Sequence, residues 1–171
     1  AGDVRLVFAS WSSTVGVQAI TDNRGGLYQE IVNPPAGPLR LAVWVAPVLT
    51  DGATTLTATW NNDASEPEVR VVEYHGANML DPVSQARRNG GSGTTASVKL
   101  TVNAGEVIVA ANTAENAATL AIGTGFVERQ RTAISGHVIE DLRVTQGGTL
   151  DADTTLTVSS PWQMAAAVLR P

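Results

Sequence analysis

Apolar and polar positions alternate in steps of two over short stretches of this chain, the period of a strand with one face in water. The cleanest case runs Thr54-Thr55-Leu56-Thr57-Ala58-Thr59-Trp60, with Leu56, Ala58 and Trp60 on one side and threonines on the other. Residues 39–48 before it (LRLAVWVAPV) are almost wholly apolar. Asp51-Gly52 between the two runs predicts a hairpin, because glycine accepts the positive φ of a tight turn. The unit returns near the C-terminus, where residues 136–146 end in Gly147-Gly148 and the TTLT of 154–157 repeats that of 54–57, an offset of 100 residues (154 − 54). Further strands are expected at 4–10, 27–32, 69–74, 96–102, 107–111, 126–132 and 164–169, with a short apolar piece at 17–20. Residues 76–95, ending in Asn89-Gly90-Gly91-Ser92-Gly93, read as the longest irregular loop. The total is roughly ten to twelve strands and essentially no helix.

The correspondence extends beyond the two predicted hairpins. Ala1-Gly2-Asp3-Val4 matches Ala104-Gly105-Glu106-Val107 at an offset of 103 (104 − 1). Such a repeat is too long for a solenoid and suits two halves that each feed strands into packed sheets. The expected fold is all-β, a two-sheet antiparallel β-sandwich, jelly-roll-like, with pseudo-duplicated halves, forming one domain over residues 1–171.

Composition adds little to that fold and removes several functions. A net charge of −5 with Lys99 as the sole lysine leaves no basic stripe for nucleic acid. The lack of cysteine excludes disulfides and thiolate chemistry. No apolar run approaches the ~20 residues of a membrane helix, so no membrane partner is expected. The start, Ala-Gly-Asp, carries no signal-peptide pattern, which agrees with cytoplasmic synthesis.

Candidate chemistry is sparse. No nucleophile elbow, HExxH or P-loop occurs, so no catalytic residue, cofactor site or enzyme activity is expected. His75 and His137 fall at strand ends. Glu73 and the Glu140-Asp141 pair interrupt apolar strands, an unusual place for acids, and a buried Glu73 would need a partner such as an arginine. Asn61-Asn62-Asp63 with Glu66 and Glu68, and Asp151 with Asp153, could offer oxygens to Ca²⁺ but read as solvated loops, so no metal is expected. Trp44, Trp60 and Trp162 lie in apolar surroundings and read as core; Trp11 and Tyr28 remain as the aromatics available to a partner or a sugar. Arg87-Arg88, in the glycine-rich loop, complete the candidate contact residues.

Several stretches, in order, resemble a family of β-sandwich domains found in bacterial secreted proteins and in phage virion proteins. They are Ala1-Gly2-Asp3 with Leu6-Val7, Ile20 through Tyr28, Val43-Trp44-Val45-Ala46-Pro47, Thr55 through Thr59, Glu73-Tyr74-His75-Gly76, and Trp162 with Ala165 through Pro171. The resemblance implies a non-enzymatic structural or attachment module, most simply a capsid decoration or tail component on a virion. Its partner would then be a protein on a repeating assembly or further copies of itself, as a homo-oligomer or lattice-bound subunit. The alternative is a carbohydrate-binding or adhesion module of a larger secreted protein. Family members carry a strand before the Ala-Gly turn that is missing ahead of Ala1, so an unpaired edge is expected beside residues 4–10.

Overall fold

A computed structural model describes residues 2–50 and 52–171. Ala1, and Asp51 of the expected Asp51-Gly52 turn, lie outside the described residues. The structure is all-β and its strand pairs are antiparallel. It divides into two compact units, residues 1–82 and 83–171.

The first unit contains β1 (Asp3–Ser12), β2 (Val17–Asp22), β3 (Gln29–Val32), β4 (Leu39–Val48), β5 (Leu56–Trp60) and β6 (Glu68–His75). Four of them form a sheet in the order β3-β4-β1-β6, and β2 pairs with β5 in a separate ribbon. The inner strands are the most apolar: Val4 through Trp11 of β1 are all buried, as are Leu41 through Ala46 of β4. Val7, Ala9 and Trp11 of β1 and Ala42 and Trp44 of β4 pack with Ile20 of β2, and Leu56, Ala58 and Trp60 close the same cluster. The ribbon thus lies on one face of the sheet, and its threonine face remains in water, as the alternation requires.

The second unit contains β7 (Val83–Val102), β8 (Val107–Ala114), β9 (Thr119–Ala121), β10 (Val127–Arg131), β11 (Val138–Arg143) and β12 (Gly148–Leu169). The order is β10-β11-β8-β12-β7, with β9 also on β12. The register shifts in β12 between Thr155 and Ser160. Before the shift β12 pairs with β9 and the C-terminal half of β7; after it, with β8 and the N-terminal half of β7. Ala96, Val98, Leu100 and Val102 of β7 join Ile108 and Ala110 of β8 and Leu156, Trp162, Met164 and Val168 of β12 in one cluster. Both halves of β12 therefore line a single core, and the sheet folds over on itself.

The units are duplicates in detail. The order β3-β4-β1-β6 is matched by β10-β11-β8-β12. In each, a glycine at positive φ (Gly2 at 98°, Gly105 at 92°) starts the central strand. Its N–H donates to a valine at the end of the neighbouring strand or one residue beyond it, Gly2 to the Val48 carbonyl and Gly105 to that of Val144. Even the irregularity recurs: the register slips between Glu30 and Val32 of β3 and between Glu128 and Gln130 of β10. β5 and β6, separated by the polar loop of residues 61–67, correspond to the two halves of the continuous β12, and β2 corresponds to β9.

Three expectations are corrected. Neither expected hairpin exists, for β4 pairs with β1 and β3 while β5 pairs with β2, and β11 pairs with β8 and β10 rather than β12. Each connection instead carries the chain from one set of strands to another. The expected loop of residues 76–95 is strand from Val83 onward. Its glycines serve packing: a Cβ on Gly90 would meet the Gln163 amide at 2.5 Å, and one on Gly91 would meet the Trp162 ring at 3.0 Å. Lastly, residues 4–10 have no open edge, because β4 and β6 flank β1 on both sides.

Candidate functional site

The densest polar cluster of the first unit is built on Arg5, an arginine inside the apolar run of β1. Register places Arg5 opposite Glu73 of β6, and Arg5 Nε donates to Glu73 Oε1 at 2.7 Å. Nη1 donates to Asp22 Oδ2 at 2.8 Å and lies 2.7 Å from the Tyr28 hydroxyl, while Nη2 reaches Thr54 Oγ1 at 3.2 Å. Tyr28 in turn donates to Asp22 Oδ2 at 2.7 Å. The other Asp22 oxygen accepts the N–H groups of Arg24 at 2.8 Å and Gly26 at 2.9 Å, closing the turn between β2 and β3. The cluster therefore ties β1, β2, β6 and the turn after β2 together.

Electrostatics follow from these contacts. Burial alone would raise the Asp22 pKa, but the Gly26 N–H, the Tyr28 hydroxyl, the Arg24 N–H and the Arg5 charge bring it down to about 2. Burial and the Asp22 carboxylate push the Tyr28 hydroxyl up to about 12. Arg5 itself is held above its ordinary value, since hydrogen bonds to Tyr28 and Glu73 outweigh its burial. All these groups are locked in the state they hold at neutral pH. A shallow cleft beside the cluster, lined by Arg5, Asp22, Arg24, Pro47 and Thr54, encloses about 20 Å³, room for one water. The cluster braces the strands and the turn that it joins.

The second unit has its own buried polar groups. Asn112 of β8 donates to Thr119 Oγ1 at 2.8 Å and Thr154 Oγ1 at 3.1 Å, and its carbonyl accepts the Val138 N–H at 3.0 Å. His137 is buried, with Nε2 3.0 Å from the Ala114 nitrogen, so it anchors β8 to the start of β11. Glu140 of β11 is wholly buried. One of its oxygens accepts the Gly123 N–H at 2.9 Å, and the other has no hydrogen-bond partner. Burial, with the Asp153 and Glu128 charges adding to it, raises the Glu140 pKa to about 7 although the Gly123 N–H opposes this. Its neighbour Asp141 forms an ion pair with Arg129 at 2.7 Å.

The four candidate contact residues divide. Arg87 and Arg88 are exposed, on a strand at the end of its sheet, in register with Ala166 and Ala165. Trp11, expected at the surface, is only 1% exposed; its Nε1 donates to the Val15 carbonyl at 2.8 Å and its ring meets Trp60 edge-on at 6.1 Å. Trp11 is still within β1 and shares the face of Val7 and Ala9, which the ribbon covers. Tyr28 is half-buried, with its hydroxyl held by Arg5 and Asp22. The expected core positions of Trp44 and Trp162 are observed, and Trp60 is half-buried on the same cluster as Trp11. Glu73 does bond to an arginine, Arg5, but it is exposed and not buried in its strand. What the sequence reading missed is Arg5 and Asp22; a lone arginine in VRLVF was the available signal.

Among the described residues no group of three or more His, Cys, Asp or Glu side chains is placed to hold a metal ion. Asp151, in one of the oxygen-rich stretches, instead pairs with Lys99 at 3.1 Å. No helix of the described residues is long and apolar enough to cross a membrane. Comparison with protein-family models, with curated proteins and with solved structures finds no match.

Proposed function

We propose that this chain is a non-enzymatic structural and attachment module that assembles through protein–protein contacts, most simply as a decoration or tail component on the surface of a virion. The observation that carries this reading is the duplicated architecture itself. One β unit occurs twice, with the same strand order and bulge, and in it buried side chains such as Arg5, Asp22 and Asn112 brace neighbouring strands. The exposed pair Arg87 and Arg88, on a long strand at the end of a sheet, supplies a contact surface of the kind such assemblies use. The carbohydrate-binding alternative relied on Trp11 and Tyr28, and with Trp11 in the core no specific observation favours it.

Light scattering over a concentration series, with a glycan array on the same preparation, tests the reading. Assembly into defined oligomers without glycan binding is the expected result. A chain that stays monomeric throughout and binds a glycan would overturn it.

A further inference from the structure

Glu140 stands in the middle of β11, in register with Ala110 of β8 on one side and Glu128 of β10 on the other. Ala110 belongs to the core cluster, so this face of β11 looks into the core, and Glu140 is wholly buried there. One of its oxygens takes the Gly123 N–H at 2.9 Å; the other has no partner among the described residues. The charges that face it are of its own sign, Glu128 from β10 and Asp153 from β12. β8 presents Ala110, and the loop between β9 and β10 (Ile122-Gly123-Thr124-Gly125-Phe126) carries no charge. Arg131 is turned to Glu128, at 3.0 and 2.6 Å, and Arg129 pairs with Asp141, which alternation places on the opposite face of β11.

The cover over Glu140 is uneven. β8 and β12 are interior strands, whereas β10 is five residues at the end of the sheet, four of them exposed. The loop before β10 is fixed by the Gly123 N–H on Glu140, by the Phe126 N–H on the Gly123 carbonyl at 3.1 Å, and by the Phe126 ring in the core cluster. We propose that residues 122–131 form a pH-gated flap, held closed through Gly123 while Glu140 is protonated and released when Glu140 ionises against Glu128 and Asp153. Protonated, the acid is neutral and still accepts the Gly123 N–H. Ionised, it is a dry charge with a single donor, and the smallest movement that hydrates it lifts the loop and the edge strand rather than an interior strand. Phe126 leaves the core with the flap, so the open form shows an apolar ring and the inner face of β11. The device belongs to the second unit and stands whether or not the chain is a virion component.

The pKa of Glu140, about 7 with the flap closed against 4.5 for a solvated acid, fixes the sign. Opening is independent of pH below about 4.5, becomes about tenfold easier per pH unit up to 7, and levels off above it. Hydrogen exchange of the whole chain, read by NMR and corrected for the intrinsic rate at each pH, tests this. Between pH 5 and 8 the opening seen at Gly123, Phe126 and the β10 amides that pair with β11 is expected to rise roughly fifty- to a hundredfold. At pH 8 those amides should exchange at least about tenfold faster than the paired amides of β8 and β12, and without response to low urea, because a flap exposes little surface. Glu140→Gln is expected to keep the flap closed at both pH values, and Glu128→Gln, which removes one facing acid, to give a smaller rise than the parent. Equal opening of the parent flap at pH 5 and 8 overturns the proposal, even if neither variant folds. So does a rise in Glu140→Gln as large as the parent's. Flap amides that exchange together with those of β8 and β12, with the same urea response, also overturn it, for Glu140 then loosens the whole unit and there is no flap.

Discussion

Arg5 and Asp22 form an ion pair at 2.8 Å whose side chains are only 7% and 2% exposed. Breaking a buried pair by removing one partner costs about 3–5 kcal/mol, and the contacts that remain here, Glu73 on Arg5 or Tyr28 on Asp22, place the cost at the lower end. Asp22→Ala is therefore expected to lower the stability of the first unit by about 3 kcal/mol. Arg5→Met should do the same, and the double variant should lose clearly less than the sum. Urea titration of the four proteins gives the cycle; additive losses would show that the two residues are not coupled.

The same pair sets an acid limit. Asp22 has a folded pKa near 2, below its ordinary 3.8, so the folded state binds this proton more weakly than the unfolded chain. Its stabilising contribution is complete above about pH 4 and is lost as pH falls toward 2. In Asp22→Asn the urea midpoint should fall less steeply over that window than in the parent.

Glu140 acts with the opposite sign. Its folded pKa of about 7 lies above the ordinary 4.5, so the folded state prefers the protonated acid. Stability is unaffected below about pH 4.5, falls as pH rises toward 7, and stays reduced above it, by on the order of 3 kcal/mol. Glu140→Gln keeps an acceptor for the Gly123 N–H and removes the charge. It should be more stable than the parent at pH 8 and indistinguishable at pH 4, read by thermal melting at both; a parallel pH dependence in the two proteins would exclude Glu140 as the source.

Two glycines separate packing from flexibility. A Cβ at Gly123 would sit 2.9 Å from the Asp153 carbonyl oxygen and 2.9 Å from the Phe126 ring, so backbone must move. Gly123→Ala should cost about 1–3 kcal/mol. At Gly90 the obstacle is the tip of the Gln163 side chain, which can swing away, so Gly90→Ala should stay within about 0.5 kcal/mol of the parent. Chemical denaturation ranks the two, and equal losses would contradict the geometry.

Sequence reading recovered what depends on local period and little that depends on partner choice. Alternation at Leu56, Ala58 and Trp60 marked a half-buried strand correctly, and the repeated TTLT pointed to a duplication that the strand orders bear out. The turn signal at Gly52 gave a change of direction but not the strand to which the chain goes next, since that is decided by where the apolar faces of β4 and β5 find cover. Gly90 and Gly91 looked like loop residues because their reason, the side chains of Gln163 and Trp162 lying across them, is 73 (163 − 90) and 71 (162 − 91) residues away. Trp11 was misplaced for a similar cause: its partners Val15 and Trp60 come together only when the ribbon folds onto the sheet. Arg5 was overlooked since nothing near it in the chain announces Asp22 or Tyr28.

The register slips shared by β3 and β10 set one residue out of its ladder at the same step of each unit. An extra residue in a ladder bends its strand and sharpens the local twist, so both units turn their edge strand at the same point.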